Sequence, residues 1–211
     1  EFLNEVVKAK KENDAYLWEV LKKREEEAFE KNKNIRHLHN KILMEAFLAE
    51  MDGQTLSKIS KRQILNYLFD IENWGLYEIE LFGNFTIFFS PEENHQFVHL
   101  LRKKKNHFSS ERRYIEIASK LLLNILLKDI LLGSKYGDDI LKEIEQLLNR
   151  EGFYAEKMSA QFFKGILMIQ RNQKTDGEKL CLKSIQFFYD FEENHKGKLY
   201  RQFLSEQLNH K

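Results

Sequence analysis

The 211-residue sequence has one proline, nine glycines and one cysteine, and each scarcity excludes a class of protein. An all-β fold needs many tight turns, and so little proline and glycine leaves too few turn residues for one. The single cysteine, Cys181, cannot form an internal disulfide, which is typical of proteins in a reducing cytosol. Its position on an apolar helical face predicts a buried, unreactive thiol.

The sequence also lacks an excess of charge and a long hydrophobic run. Lys and Arg number 34 against 33 Asp and Glu, so the chain has no basic excess for holding a nucleic acid by itself. The densest apolar stretch, residues 121–132, is broken by polar residues and is too short to span a membrane. No signal peptide opens the chain, which starts at Glu1, so we expect a fragment of a cytoplasmic protein.

Apolar residues at helical spacing are what the sequence does contain. Hydrophobic residues make up 42% and charged residues 32%, which excludes a disordered chain and favours an all-α fold. The predicted helices are Phe2–Phe29 with a break at Asn13 and Asp14, Lys33–Met51, Leu56–Ile71, Tyr77–Phe89, one from Ser90 and Pro91 to about Lys103, Glu111–Leu132, Ile140–Asn149, Phe153–Ile169, Lys179–Phe191 and Lys198–Leu208.

These helices form pairs whose second members begin near residues 33, 75, 111, 153 and 194. A period of about forty residues is typical of stacked helix hairpins. We therefore predict a right-handed solenoid of about five degenerate tetratricopeptide-like helix hairpins. The hairpins form a single domain over residues 1–211.

Polar stripes on the second helices predict a groove for an extended ligand. The stripes comprise His37, Asn40 and Met44; Tyr77, Leu81, Asn84 and Phe88; Glu116, Lys120, Asn124 and Lys128; and Lys157, Gln161, Lys164 and Met168. An asparagine amide suits a peptide backbone because it both donates and accepts hydrogen bonds. A solvated helix face, or an asparagine that bridges two helices, explains the same pattern, and both alternatives stay open.

No residue set predicts catalysis. His95 and His99 have the spacing of two zinc ligands, but Gln96 stands where a metalloprotease needs glutamate and no third ligand is apparent. No acid–base pair or glycine-rich phosphate loop is apparent either. We predict that the protein is not an enzyme and binds no metal or cofactor.

The last hairpin is unusually apolar for a terminal repeat, which normally has a polar outer face. We predict a dimer interface made of Phe187, Phe188, Phe191, Leu199, Phe203 and Leu204. Either the last helix folds back over these residues or another subunit covers them. We favour exchange of helices between two protomers.

The segment Tyr67–Ser90, YLFDIENWGLYEIELFGNFTIFFS, holds eight aromatic residues in 24 positions. Its pattern W-G-x-Y-E-x-x-L-F-G-N resembles the C-terminal domain of Rgg/GadR/MutR transcription regulators, of the streptococcal type that includes RopB-like proteins. The resemblance implies a helical-repeat domain that binds a short hydrophobic signalling peptide and forms a homodimer. It also implies a helix-turn-helix DNA-binding domain upstream of Glu1, through which alone the protein contacts DNA.

This resemblance places Asn84 in a peptide groove, with Trp74 and Tyr77 bracing or lining it and Tyr114 on the next inner helix. The full set of expected peptide-binding residues is Trp74, Tyr77, Asn84, Phe88, Tyr114, Lys120, Asn124 and Gln161, the last three from the stripes alone. The implied function is that of a quorum-sensing regulator of a Gram-positive bacterium, in a family linked to virulence regulation. The alternative is a helical-repeat scaffold that binds a protein partner and no peptide.

Overall fold

The computed structural model describes residues 2–104 and 110–209, which form helices and no strand. The helices are α1 (Phe2–Glu12), α2 (Ala15–Asn32), α3 (Ile35–Met51), α4 (Lys58–Asp70), α5 (Leu76–Phe85), α6 (Pro91–Lys103), α7 (Arg112–Leu131), α8 (Gly137–Leu147), α9 (Tyr154–Gln170), α10 (Lys174–Asp190) and α11 (Asn194–Asn209). The all-α prediction is confirmed. The second helices of the predicted pairs, α3, α5, α7, α9 and α11, each begin within two residues of the predicted position.

Several helix ends follow from local chemistry that the sequence shows. The Asp14 side chain accepts a hydrogen bond from the Leu17 N–H and starts α2, so the predicted break before it is confirmed. Ser90 and Glu93 form a reciprocal capping box at the start of α6, with Pro91 in its first turn. Gly133, at φ 61°, follows the end of α7.

Three predicted ends were wrong by four or five residues. Helix α5 stops at Phe85 rather than Phe89, because the Thr86 hydroxyl donates to the Gly83 carbonyl and residues 86–88 form a turn. Helix α10 begins at Lys174 rather than Lys179. Helix α11 begins at Asn194, where the repeat period placed it, rather than at Lys198, where the predicted helix span began. The first turn of each helix contains a glycine, Gly177 in α10 and Gly197 in α11. From sequence alone each glycine suggests a helix break, but in the structure it packs against a neighbouring helix.

The structure divides into two compact units, of which the first comprises Glu1–Glu72 and Glu80–Phe89. Its core contains an aromatic cluster. Trp18 stacks on Phe47 with ring centroids 4.8 Å apart, and Phe47 meets Phe88 edge-on at 5.8 Å. Six of the eight aromatic residues of the segment Tyr67–Ser90 belong to this unit.

A buried carboxylate joins α2 to α3 in the same unit. Glu25 accepts a hydrogen bond from Asn40 Nδ2 at 2.9 Å and lies 2.8 Å from His37 Nδ1. A buried carboxylate is costly without such partners. Met44, the third member of the stripe predicted on α3, is fully buried, so all three of its positions serve packing rather than a groove.

The second unit comprises Asn73–Ile79 and Ser90–Lys211, and in it α9 and α10 touch through their backbones. A Cβ atom added to Gly165 would lie 2.6 Å from the Gly177 carbonyl oxygen. One added to Gly177 would lie 2.5 Å from the Gly165 carbonyl oxygen. Neither helix has room for a side chain at this contact, which lets the two axes approach more closely than side-chain packing allows.

Helix α11 lies against both α9 and α10. The Tyr200 ring stacks on Phe162 with centroids 4.1 Å apart, and Gly197 leaves room for the Tyr189 ring. Cys181 is buried beneath this layer, where its thiol donates to the Phe162 carbonyl at 3.4 Å. Burial raises the pKa of Cys181 to about 12, so the predicted buried and unreactive thiol is confirmed.

The close contact predicts that Gly165→Ala and Gly177→Ala each lower the free energy of unfolding by roughly 1–3 kcal/mol, because the added methyl group meets backbone. Urea unfolding followed by circular dichroism measures the change. Thr175→Ala, at an exposed position of α10, is the control and should change stability by less than about 0.5 kcal/mol. Wild-type midpoints for both glycine variants would contradict the backbone contact.

Candidate functional site

Side chains from α7, α9 and α11 line one depression of about 240 Å³ in the second unit. Its lining residues are Lys120, Leu123, Asn124, Leu127, Ser159, Phe163, Lys196 and Tyr200. All three helices are second members of the predicted pairs. Leu123, Leu127 and Phe163 supply apolar surface, and Asn124 is exposed beside them.

Of the residues that line this depression, the sequence pattern singled out only Lys120 and Asn124. Lys196 and Tyr200 are two of the residues that it missed. The Lys196 ammonium lies over the Phe188 ring, 4.4 Å from its centroid. Burial lowers the pKa of Lys196, the nearby carboxylates of Glu193 and Glu156 raise it, and the Lys120 charge lowers it further. Extending the four-residue stripe to α11 would have found both residues, but that helix was predicted to begin only after Lys196.

The Tyr200 phenol stays protonated throughout the physiological range. Burial raises the pKa of Tyr200 to about 12, and hydrogen bonding with the Ser159 side chain acts in the opposite direction. The Ser159 hydroxyl itself donates to the Ala155 carbonyl at 2.8 Å. The depression therefore offers two cations, an amide and a neutral phenol beside an apolar floor.

A larger depression, of about 680 Å³, lies near the ends of several helices of the second unit. Its two glutamines already have partners, since Gln170 Nε2 donates to the Ile130 carbonyl at 3.3 Å and to Gln207 Oε1 at 3.0 Å. Its lining includes loop residues and helix ends rather than a face of side chains. We therefore regard the smaller depression as the better candidate.

The structure brings Lys120 and Asn124 together but separates Gln161 from them. Gln161 lines a different depression of about 280 Å³, with Asn149 and Lys157 on the α8 side of α9. Residues 159 and 163 face one side of α9 and residue 161 faces another, as helical geometry requires. The polar stripe predicted on α9, which contains Gln161, therefore lies on a different face of the helix from the face that adjoins Lys120.

The W-G-x-Y-E part of the distinctive motif has a local structural role. The Trp74 ring is fully buried, at 6.0 Å from the Phe97 ring, and its backbone N–H donates to the Lys104 carbonyl at 2.9 Å. The Glu78 carboxylate accepts from the Gly75 N–H at 2.8 Å, which satisfies a free donor where α5 begins. Trp74 braces the fold and presents no surface to a ligand, and Tyr77 is half-buried.

The remaining predicted peptide contacts differ in exposure. Asn84 is exposed on α5, so its amide bears no burial cost, contrary to the apolar setting that its neighbours suggested. Phe88 is half-buried against Phe47 and Phe85. Tyr114 is buried, and its hydroxyl has no hydrogen-bond partner among the described residues, for which we have no physical account. Burial raises the pKa of Tyr114 to about 12.

The six residues predicted as a dimer interface divide between core and surface. Phe188 and Leu204 are buried where α11 packs on its own chain, so they are unavailable to another subunit in this arrangement. Phe187 and Phe203 are half-buried. Phe191 and Leu199 are 66% and 51% exposed and form the apolar surface that remains. The last helix thus folds back, whereas the sequence argument favoured exchange.

The histidine pair on α6 belongs to a local cluster rather than to a set of metal ligands. His95 Nε2 lies 3.2 Å from Asp139 Oδ2, and its ring stacks on Tyr136 at 4.2 Å and meets His99 edge-on at 4.5 Å. Within residues 2–104 and 110–209, no group of three or more His, Cys, Asp or Glu side chains could hold a metal ion.

Asp129, near the end of α7, is a buried carboxyl group beside this cluster. Burial raises the pKa of Asp129 to about 6, while the His95 charge and the backbone of Gly137 and Tyr136 act to lower it, and Glu92 acts to raise it. The Ser134 hydroxyl donates to Asp129 Oδ1, which ties the loop after α7 to the helix.

The raised pKa predicts that this carboxyl group makes the fold less stable as pH increases. The folded state binds the Asp129 proton more tightly than the unfolded state, so the contribution is fully present below the ordinary pKa of 3.8 and is lost as pH rises through about 6. Wild-type stability should therefore fall between pH 4 and 7 by up to about 3 kcal/mol more than that of Asp129→Asn. Urea unfolding at both pH values measures this difference, and Asp70→Asn, at an exposed site, should retain the wild-type dependence.

Among the described residues, no helix has the length and apolar character that crossing a membrane requires.

A search of curated protein sequences finds no match. Solved structures do match. A candidate transcriptional regulator from Listeria monocytogenes EGD-e is 17% identical with a TM-score of 0.79, covering 98% of this chain and 72% of that one. The SHP pheromone receptor Rgg2 of Streptococcus dysgalactiae is 19% identical with a TM-score of 0.78, covering 98% and 74%.

RopB is 21% identical to the chain with a TM-score of 0.70, and the match covers 98% of this chain and 96% of that one. At these identities the structural matches establish the fold. A family model described as the C-terminal domain of the HTH-type transcriptional regulator Rgg matches residues 19–202. That match includes most of the chain and every residue that lines the depression, and the chain therefore belongs to the family of Rgg C-terminal domains of HTH-type transcriptional regulators.

Proposed function

We propose that this regulatory domain binds a short hydrophobic signalling peptide in the cytoplasm and forms a homodimer. Peptide binding in turn controls DNA binding by a helix-turn-helix domain on the same polypeptide. One of the similar structures is a pheromone receptor, which motivates the peptide as the ligand class. The observation that carries the proposal is Asn124, exposed above the apolar floor of the depression between α7, α9 and α11.

The surroundings of Asn124 suit the backbone of an extended peptide. Its side-chain amide can donate to one peptide carbonyl while its oxygen accepts from one peptide N–H. Apolar peptide side chains then pack on Leu123, Leu127 and Phe163. Asn84, an exposed amide on α5 in the first unit, remains a predicted peptide contact on the strength of its motif.

The ligand acts by favouring one arrangement of the helices it contacts. A peptide in this depression touches three helices that are distant in sequence, so its affinity depends on their relative positions. It shifts an equilibrium between two arrangements only by as much as its affinities for them differ. In the dimer, that shift changes the spacing of the two DNA-binding domains.

The competing function is a scaffold that binds a protein partner through the same helices. It shares the fold and the apolar surface but makes no use of a peptide-sized polar site. Direct binding of short peptides distinguishes the two functions.

Asn124→Ala is expected to weaken peptide binding by about five- to thirtyfold, since it removes up to two hydrogen bonds. Fluorescence anisotropy with a panel of synthetic octapeptides, labelled at the amino end and rich in Leu and Phe, measures this change. Stability should not fall, because the side chain is exposed. Asn66→Ala, on an exposed face of α4, is the matched control and should bind like wild type.

Two outcomes would contradict the proposal. If wild type and Asn124→Ala bind every binding peptide with equal affinity, the Asn124 amide does not contact the peptide. The absence of any binding across the panel would favour the scaffold.

Charge placed on the exposed part of the last hairpin should break the dimer. We expect Phe191→Asp and Leu199→Asp to convert the dimer to monomer in analytical ultracentrifugation, because an unpaired carboxylate at an apolar interface is costly. Thermal melting should change little, as both side chains are exposed. Leu131→Asp, which is 61% exposed outside this hairpin, should stay dimeric. If both hairpin variants remain dimeric, the subunits meet elsewhere.

A further inference from the structure

Two ammonium groups share the depression between α7, α9 and α11. Lys120 extends from α7 and Lys196 from α11. The two are close enough that the positive charge of Lys120 lowers the pKa of Lys196. Neither forms an ion pair with any of the residues that the structure describes. Other lysines do pair with carboxylates, as Lys41 does with Glu26 at 2.6 Å and Lys164 with Glu145 at 2.9 Å.

Lys196 is held in place although it lacks a counter-ion. Its ammonium lies 4.4 Å from the centroid of Phe188 and 5.8 Å from that of Tyr200, and its side chain is half-buried. Contacts with ring faces fix the position of a cation but leave its outward side free for an anion. Glu193 and Glu156 are near enough to favour its charge, yet neither is within ion-pair distance.

An anion between these two cations would be stabilised by both. Charge-assisted hydrogen bonds from ammonium groups are about twice as strong as neutral ones. The apolar side chains of Leu123, Leu127 and Phe163 line the same small depression. A ligand that satisfies this site must therefore present a negative charge and an apolar group within a few ångströms of each other.

The carboxyl-terminal residue of a peptide has this combination. Its carboxylate and its side chain are attached to the same Cα atom, so both reach adjacent surfaces. An internal acidic residue of an extended peptide does not, because neighbouring side chains point to opposite faces of the chain. Charge complementarity and the size of the depression thus favour a terminal residue.

We infer that Lys120 and Lys196 bind the terminal carboxylate of the signalling peptide, while Leu123, Leu127 and Phe163 hold its last, apolar side chain. This inference rests on the proposed function. Asn124 lies one helical turn beyond Lys120 on α7, where it reaches the backbone of the preceding peptide residue. The site therefore fixes the direction in which the peptide lies.

Amidation of the peptide's carboxyl end tests the inference. For octapeptides of the panel that bind, the free acid should bind wild type about tenfold more tightly than the amide with the same sequence. In Lys120→Met and Lys196→Met the acid should lose this advantage, whereas the amide should bind nearly as it does to wild type. Lys196→Arg should restore part of the preference, and Lys183→Met, at an exposed site of α10, should keep all of it.

The outcomes distinguish a failure of the carboxylate site from a failure of the proposed peptide binding. If acid and amide bind equally to wild type while Asn124→Ala weakens both, the peptide groove stands and the carboxylate site is wrong. If the preference for the acid persists in both lysine-to-methionine variants, other groups recognise the carboxylate and the inference fails. If no peptide binds in either form, the proposed function fails with it. Circular dichroism melting of each variant identifies any that do not fold, and Lys120→Met, an exposed position, then carries the test.

Discussion

The backbone contact between Gly165 and Gly177 sets the geometry on which the second unit depends. Because neither helix carries a side chain there, α10 approaches α9 closely, and Cys181 fits into the gap beside Gly165. Helix α11 then packs against both helices, with Gly197 admitting the Tyr189 ring and Tyr200 stacking on Phe162. The candidate binding surface exists because this stacking brings Lys196 and Tyr200 of α11 next to α7 and α9.

The sequence predicts the helices well where local chemistry marks their ends. Ser90 and Pro91 start α6, Asp14 starts α2 and Gly133 ends α7, each through a mechanism confined to a few neighbouring residues. The starts of α10 and α11 were wrong because no side chain caps α10 and because each first turn holds a glycine. A glycine that serves a contact with a distant helix looks, from sequence alone, like one that ends a helix.

The candidate site was predicted in part, for a related reason. Lys120 and Asn124 follow from a stripe within one helix, which four-residue spacing reveals. Which face of α9 adjoins them depends on how helices pack, so Gln161 was placed on the wrong side and Phe163 was missed. The same limit applies to the aromatic segment: Trp74 is conspicuous in sequence, yet its ring is buried, whereas the amide of Asn84 is exposed.

Phe188 joins two surfaces that have been described separately. One of its faces lies beneath the Lys196 ammonium, and its ring also contacts Phe187 at 5.5 Å, which in turn lies 4.5 Å from the exposed Phe191. A continuous row of rings therefore runs from the cation in the depression to the outside of the last hairpin. Closely packed side chains have little free volume, so they cannot absorb a displacement without passing it on. The surface of this hairpin that borders the depression and its outward-facing surface are thus connected through packed rings.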